Sequence, residues 1–163
     1  MYLLYNATNG NRDYLFDVTA TGGYQGRGQD FGYTVPTEAL SDERFARMLR
    51  EAERYLGYPY VWGGSSPSTS FDCSGFVYWC LKQAGVNQKY LTSSGWRSVS
   101  GYTKVSSIGS LRKGDIIVFK GHVGIAMGDG TMIDASSGNG KVVHRSCTGD
   151  WSYKNFICAW RIF

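Results

Sequence analysis

The segment SFDCSGFVYWCLKQAG, residues 70–85, contains a cysteine at a position suited to chemistry. Cys73 directly follows Asp72, a good helix cap, so we expect it in the first turn of a helix. Unpaired amides and the helix dipole stabilise a thiolate there, and the thiolate is the reactive form of cysteine. The same amides could donate to an oxyanion on a bound carbonyl, and Gly75 leaves room for it. The alternative is a buried structural cysteine, because cysteine is common in protein cores.

A cysteine nucleophile needs a base, and the chain contains only two histidines. His122 begins a predicted strand immediately after Gly121 and shares a face with the small residues Gly124 and Ala126, which leave space for a partner or a substrate. His144 lies in the middle of another predicted strand, where a solvent-facing side chain is the ordinary expectation. The sequence therefore favours His122 as the base.

A third group should orient the imidazole, and strand geometry suggests Asp134. If residues 128–130 form a three-residue hairpin loop, position 124 opposes 134 and position 122 opposes 136, so Asp134 lies diagonally across from His122. A two-residue loop would instead place Asp134 on the opposite face of the sheet. In that case His144 or water would orient the base, and Asp134 would be an exposed strand carboxylate.

Two helices precede these strands in the sequence pattern. The first is amphipathic and runs from a cap at Ser41 to a stop at Gly57, and the second runs from Asp72 to Ala84. Alternating and continuous apolar runs predict five strands, at residues 115–120, 122–127, 131–136, 141–146 and 156–163. Helices followed by an antiparallel sheet predict an α+β fold.

Composition limits the partners of the chain. At 163 residues and 42% hydrophobic content it can bury a core, its net charge of +4 is scattered, and no apolar run is long enough to cross a bilayer. We therefore expect no nucleic-acid partner, no membrane span and a monomer. Residues 1–40 look like an N-terminal arm or linker before a domain at 41–163, and they lack a secretory signal, so we expect any export signal to lie outside this chain.

The four cysteines do not resemble a disulfide framework or a zinc site. No two of them lie two to four residues apart, which disfavours zinc, although a bridge between Cys147 and Cys158 is possible. Cys80 falls on the buried stripe of the second helix and is predicted to be a core residue.

Four ordered blocks carry a family resemblance: YPYVWGG (58–64), DCSGFV (72–77), LRKGDIIVF (111–119) and HVGIAMGDGTMIDASS (122–137). They resemble the NlpC-type cell-wall peptidases, papain-like cysteine enzymes of bacteria and phages, over about residues 43–160. The resemblance implies a papain-like fold and an extracellular or wall-associated enzyme that needs no metal or organic cofactor. It also implies cleavage of peptidoglycan stem peptides, usually between D-γ-glutamyl and the diamino acid.

The resemblance assigns catalytic roles by position. Cys73 would be the nucleophile and His122 the base, while the third position, usually His, Asn or Gln, falls on Asp134. This departure affects the expected pH optimum more than the chemistry, because an aspartate favours the imidazolium more strongly than a neutral partner does.

The resemblance also implies substrate-binding residues. Tyr60 would lie near the oxyanion, and Asp72 and Ser74 would help to hold the free amine of the stem peptide. Trp62, with Tyr58 and Trp96, could line the groove, but each of these aromatics could equally belong to the core or its rim.

Two other functions remain open from the sequence. The first is a catalytically silent module that binds the cell wall or supports an assembly, which the joint presence of Cys73 and His122 disfavours. The second is a papain-like amidase or acyltransferase acting on another substrate, because a thiol site does not fix its acceptor.

Overall fold

The structure is a computed structural model that describes residues 37–163. Residues 1–36 of the predicted N-terminal arm lie outside the described residues. Within the described range, helices come first and a six-stranded antiparallel sheet follows, so the α+β prediction is confirmed. No helix in this part of the chain has the length and apolar character needed to span a membrane.

Helix α1 spans Thr37–Arg54 and buries Met48 and Ala52 completely. The prediction that Ser41 caps this helix is wrong, because the helix begins at Thr37. Residues 38–40 are Glu, Ala and Leu, which are strong helix formers and extend the helix towards the N-terminus.

Helix α2 spans Cys73–Gln83, as the capping pattern predicted. The carboxylate of Asp72 accepts a hydrogen bond from the amide of Gly75 at 2.7 Å, and Gly85 beyond the C-cap adopts a positive φ of 83°. Two short strands, β1 (Ser65–Ser66) and β2 (Ser70–Phe71), precede the helix and pair with each other. The predicted buried stripe of α2 is fully buried and consists of Phe76, Val77, Cys80, Leu81 and Ala84.

The sheet contains all five predicted strands and one more. Its strands are β3 (Thr103–Val105), β4 (Ile116–Phe119), β5 (His122–Ala126), β6 (Thr131–Ser136), β7 (Lys141–Ser146) and β8 (Phe156–Arg161). Their order in space is β3-β8-β4-β5-β6-β7, and each neighbouring pair is antiparallel. The sequence did not predict β3 or a short helix, α3 (Asp150–Asn155), because three to six residues carry too little periodicity.

The two faces of the sheet bury separate cores. Ile116 and Val118 of β4 join the larger core, which includes α1 and α2, whereas Ile117 and Phe119 join a smaller core on the other face. Trp96 is only 1% exposed and belongs to the larger core, so of the two places considered for it from the sequence, groove and core, it takes the core.

All four cysteines are free thiols. Cys147 packs in the smaller core and Cys158 in the larger one, so the sheet separates them and the bridge considered from the sequence does not form. Burial raises the pKa of the Cys80 thiol well above its ordinary value, which fits the predicted core role of this residue.

Candidate active site

The turn between β5 and β6 determines which residues can meet His122. Ile125 pairs with Ile133 and Ala126 with Met132, so residues 128–130 form the three-residue loop considered from the sequence and the predicted register is confirmed. Gly128 and Gly130 both have positive φ, at 83° and 84°, which this loop requires and glycine allows.

This register brings Asp134 to His122. The Oδ2 atom of Asp134 lies 2.6 Å from Nε2 of His122, and Asp134 is completely buried. A Cβ on Gly124 would lie 3.1 Å from the Cβ of Asp134, so the glycine allows the carboxylate to approach. His144, the alternative orienting group, is exposed and bonds Thr131 Oγ1 at 2.7 Å, on the face opposite Asp134.

Arg145 binds the same carboxylate and was not predicted. Its Nε donates to Oδ1 of Asp134 at 3.1 Å, and its Nη2 donates to Oδ2 at 2.7 Å. Arg145 pairs with Met132 across β6 and β7, so it lies diagonal to Asp134. The pairing of β6 with β7 across the turn at 137–140 is local in sequence and was sufficient to predict this position. The arginine holds the carboxylate in one orientation, because the two donors occupy both of its oxygens.

Two aromatic side chains restrict the His122 ring. Phe119, its partner across β4 and β5, stacks on the imidazole at 6.0 Å between centroids, and Trp151 meets it edge-on, also at 6.0 Å. The guanidinium of Arg145 lies 5.8 Å from the centroid of the Trp151 ring. Neither aromatic was predicted as a site residue. Phe119 meets the imidazole through the pairing of β4 with β5, and Trp151 meets it from α3.

Cys73 is the first residue of α2, is 9% exposed, and lies close enough to the His122 imidazole to influence its pKa. Burial opposes a charge on His122, but hydrogen bonds to Asp134 and Cys73, together with their charges, raise the pKa of His122 to about 9. The imidazole is therefore protonated at neutral pH and can pair with a thiolate. The amides of Cys73 and Ser74 make no hydrogen bonds with described residues, so they can still donate.

A polar cluster adjoins the cysteine. Asp72 accepts from the Gly63 amide at 2.9 Å and from the Ser74 hydroxyl at 3.3 Å. The Ser74 oxygen lies 2.9 Å from the Tyr90 hydroxyl, which donates to it because Ser74 already donates to Asp72. Burial, and then the negative potential of Cys73, Asp72 and Tyr90, raise the pKa of Tyr60.

The structure therefore brings the predicted residues Tyr60, Asp72 and Ser74 together with Cys73. Tyr90 was missed, because its segment has no periodicity that would place it against α2. Trp62 is 87% exposed on the loop before β1, and Tyr58 is 36% exposed. Any ligand contact with Trp62 would therefore lie at the protein surface.

A cleft of about 300 Å³ opens beside His122 and is named here the Lys120 cleft. Neither Cys73 nor Asp72 lines it. Its lining residues are Lys120, Gly121, His122, Ser136, Ser137, Gly138, Arg145 and Trp151. In the part of the chain that the structure describes, no three His, Cys, Asp or Glu side chains converge as metal ligands.

Comparison with known proteins identifies the family. The profile of the NlpC/P60 family matches residues 57–161, more than half of the chain. This chain belongs to the NlpC/P60 family. The resemblance seen in the four sequence blocks is thereby confirmed.

Individual members of the NlpC/P60 family show how far the likeness extends. The chain is 36% identical over 100 residues to the bifunctional muramidase/DL-endopeptidase CwlT of Bacillus subtilis, covering 56% of this chain and 29% of that protein. It is 39% identical over 97 residues to the gamma-DL-glutamyl hydrolase of Bacillus subtilis, and the match covers 55% of this chain and 22% of that protein. The structure of the peptidoglycan hydrolase RipB from Mycobacterium tuberculosis matches with a TM-score of 0.65 and 25% identity, covering 79% of this chain and 69% of that one. The matches thus span less than a third of the two curated relatives, and the shared fold is the expected papain-like one.

Proposed function

We propose that this chain is a cysteine endopeptidase that hydrolyses peptide bonds in the stem peptides of peptidoglycan. The observation that carries the proposal is an imidazole that Asp134 holds at 2.6 Å, close enough to Cys73 at the start of α2 for the two groups to influence each other. Relatives named DL-endopeptidase and gamma-DL-glutamyl hydrolase support the bond between D-γ-glutamyl and the diamino acid as the target. We propose on the same basis that the protein acts outside the cell or in the wall.

The first step is attack by the thiolate. The sulfur of Cys73 forms a bond to the scissile carbonyl carbon, and the carbonyl electron pair moves to oxygen. The amides of Cys73 and Ser74 and the hydroxyl of Tyr60 are the donors proposed for that oxyanion. In this step Cys73 reacts as the thiolate, and the raised pKa of His122, about 9, keeps the imidazole protonated for the step that follows.

The second step is expulsion of the amine. His122 gives its proton to the leaving nitrogen, the C–N bond breaks and an acyl-enzyme remains on Cys73. The neutral imidazole then removes a proton from water, the resulting hydroxide attacks the thioester, and the acid product leaves with regeneration of the thiolate–imidazolium pair.

Asp134 and Arg145 position the base in this proposal. Nε2 of His122 donates to Asp134, so Nδ1 is the nitrogen that serves Cys73 and the leaving group. Arg145 holds the carboxylate through two hydrogen bonds and so limits the movement of the imidazole.

The acyl side of the substrate is proposed to lie against the polar cluster. An ammonium group needs acceptors, and the Asp72 carboxylate and the oxygens of Ser74 and Tyr90 lie together beside the nucleophile. These groups therefore suit the free amine of the stem peptide. Trp62 is exposed on the loop before β1, and we propose that it contacts the substrate at the rim of the binding site.

The test is digestion of purified muropeptides, with fragments read by mass spectrometry. We expect the protein and its Cys80→Ala variant to release fragments split after the γ-glutamyl residue, and Cys73→Ala to release none. Cleavage that survives Cys73→Ala would overturn the nucleophile assignment. Binding of peptidoglycan without any cleavage would favour a silent module, and cleavage or transfer at another amide would favour the amidase or acyltransferase alternative.

A further inference from the structure

We propose that the Lys120 cleft binds a carboxylate on the amino acid whose amine leaves during cleavage, with the Lys120 ammonium as its main contact. This inference rests on the proposed function and adds a specificity to it. It assigns the leaving side of the substrate to a particular set of side chains, whereas Tyr60, Asp72 and Ser74 concern the acyl side.

The role of the imidazole indicates which part of the substrate the Lys120 cleft would receive. His122 must reach the leaving nitrogen, and His122 itself lines the Lys120 cleft, whereas Cys73 and Asp72 do not. The Lys120 cleft is therefore the space beside the imidazole in which we place the residue attached to that nitrogen. A volume of about 300 Å³ suits one amino acid with its side chain.

The charges around the cleft favour an anion. Lys120 and Arg145 both line it, and no carboxylate does. Arg145 uses Nε and Nη2 to hold Asp134, and its Nη1 makes no hydrogen bond with residues 43–163. No carboxylate of that same range lies within ion-pair distance of the Lys120 ammonium. Both cations are therefore available to a ligand at this surface.

Hydroxyl donors complete the site. The Ser136 oxygen accepts from the Asn139 amide at 3.1 Å, so its proton is free to be donated into the cleft. The Ser137 side chain adds a second hydroxyl to the lining, and Trp151 forms an apolar wall. Hydroxyls beside two cations match a carboxylate, and the same cations disfavour an ammonium group that has no carboxylate beside it.

A diamino acid can present a carboxylate in two ways. The first is its α-carboxylate, when the stem ends at that residue, and the second is a carboxylate on the side chain, as in diaminopimelate. The same side-chain carbon of diaminopimelate also carries an ammonium group, whereas lysine at this position has the side-chain ammonium without that carboxylate. The proposal concerns the shared carboxylate chemistry, and the experiment separates the two sources.

The experiment compares tripeptides L-Ala-γ-D-Glu-X, in which X is diaminopimelate, its α-carboxamide, its side-chain carboxamide or its double amide. We expect kcat/KM to fall about fivefold when the bound carboxylate is amidated, the scale of one solvent-exposed ion pair. The amide that causes the loss identifies the source. Lys120→Gln should remove most of this preference, whereas Lys104→Gln, the same charge change on β3 at the far edge of the sheet, should keep it.

A binding measurement makes the inference independent of turnover. Calorimetry with the Cys73→Ala variant should show the same preference in Kd, and the preference should weaken at high ionic strength. Equal affinity for all four peptides, or a preference unchanged by Lys120→Gln, would overturn the inference even if cleavage depends on Cys73. Absence of cleavage with a Lys120-dependent preference in Kd would instead support the cleft and count against the proposed hydrolase.

Discussion

Asp134→Asn is the substitution that most directly tests how the imidazole is charged. Asparagine keeps the size of the side chain and an acceptor oxygen, but it removes the negative charge 2.6 Å from Nε2 of His122. That charge favours the imidazolium, so its removal should lower the pKa of His122. The change acts at a completely buried position, where solvent does not screen the interaction.

The magnitude follows from the elevated pKa. The difference between the ordinary value of 6.5 and about 9 corresponds to about 3 kcal/mol in favour of the protonated imidazole. Asp134 and Cys73 together raise the pKa of His122, whereas burial lowers it. A neighbouring charge typically changes a pKa by about 1–3 pH units. We therefore expect the pKa of His122 in Asp134→Asn to lie between about 6 and 8.

The upward direction of the His122 pKa shift also predicts how the stability of the protein depends on pH. Because folding raises the pKa of His122, its contribution is fully present below pH 6.5 and is lost as the pH rises through about 9. The free energy of unfolding should therefore decrease over this window in the parent protein. In Asp134→Asn the decrease should be smaller and should occur at lower pH.

The chain allows a direct assay because it has only two histidines. In a His144→Gln background, the remaining imidazole resonance in an NMR titration reports His122 alone. The alkaline limb of kcat against pH should follow the same pKa, since the leaving amine takes its proton from the imidazolium. Arg145→Gln is an opposite control, because loss of the cation leaves the Asp134 charge acting on His122 and should raise the pKa.

An unchanged His122 titration in Asp134→Asn would refute this reasoning, provided that the variant retains its thermal unfolding transition. A fall of the pKa in Arg145→Gln would also contradict it, because it would mean that the arginine acts by placing the carboxylate and that its charge has little effect.

The other expectations concern packing and reactivity. Gly124→Ala should lower the free energy of unfolding by about 1–3 kcal/mol and reduce kcat, because the new Cβ would lie 3.1 Å from both the Cβ of Asp134 and Sδ of Met132. Urea denaturation measures this, and Gly109→Ala, which meets nothing within 4 Å, should be nearly neutral. Iodoacetamide at about pH 6 should alkylate Cys73 well before Cys80, since Cys80 is fully buried and its pKa is raised; equal rates in peptide mapping would contradict an activated Cys73.

Local sequence rules determined most of the elements. Asp72 begins α2 and Gly85 ends it because capping and positive φ depend on neighbouring residues alone. The turn at 128–130 likewise set the register between β5 and β6, which was enough to predict that Asp134 lies on the same face as His122. The start of α1 was predicted too late, because Ser41 has a typical capping side chain although the helix-forming residues before it continue the helix to Thr37.

Strand order beyond the hairpins came only from the folded protein. β8 lies between β3 and β4, although about 40 residues separate it from β4 in the sequence. Such pairings depend on which surfaces can be buried together, and no local pattern encodes them. The same holds for Trp96, whose burial depends on packing against distant elements.

The sequence by itself therefore determined the nucleophile, the base and the carboxylate as candidates, because a helix cap and one tight turn are local features. Tertiary structure alone decided what surrounds them. Trp151 and Tyr90 reach the site from segments that have no fixed relation to Cys73 in the chain. The Lys120 cleft likewise exists only because the sheet brings Lys120 and Arg145 to one side of His122.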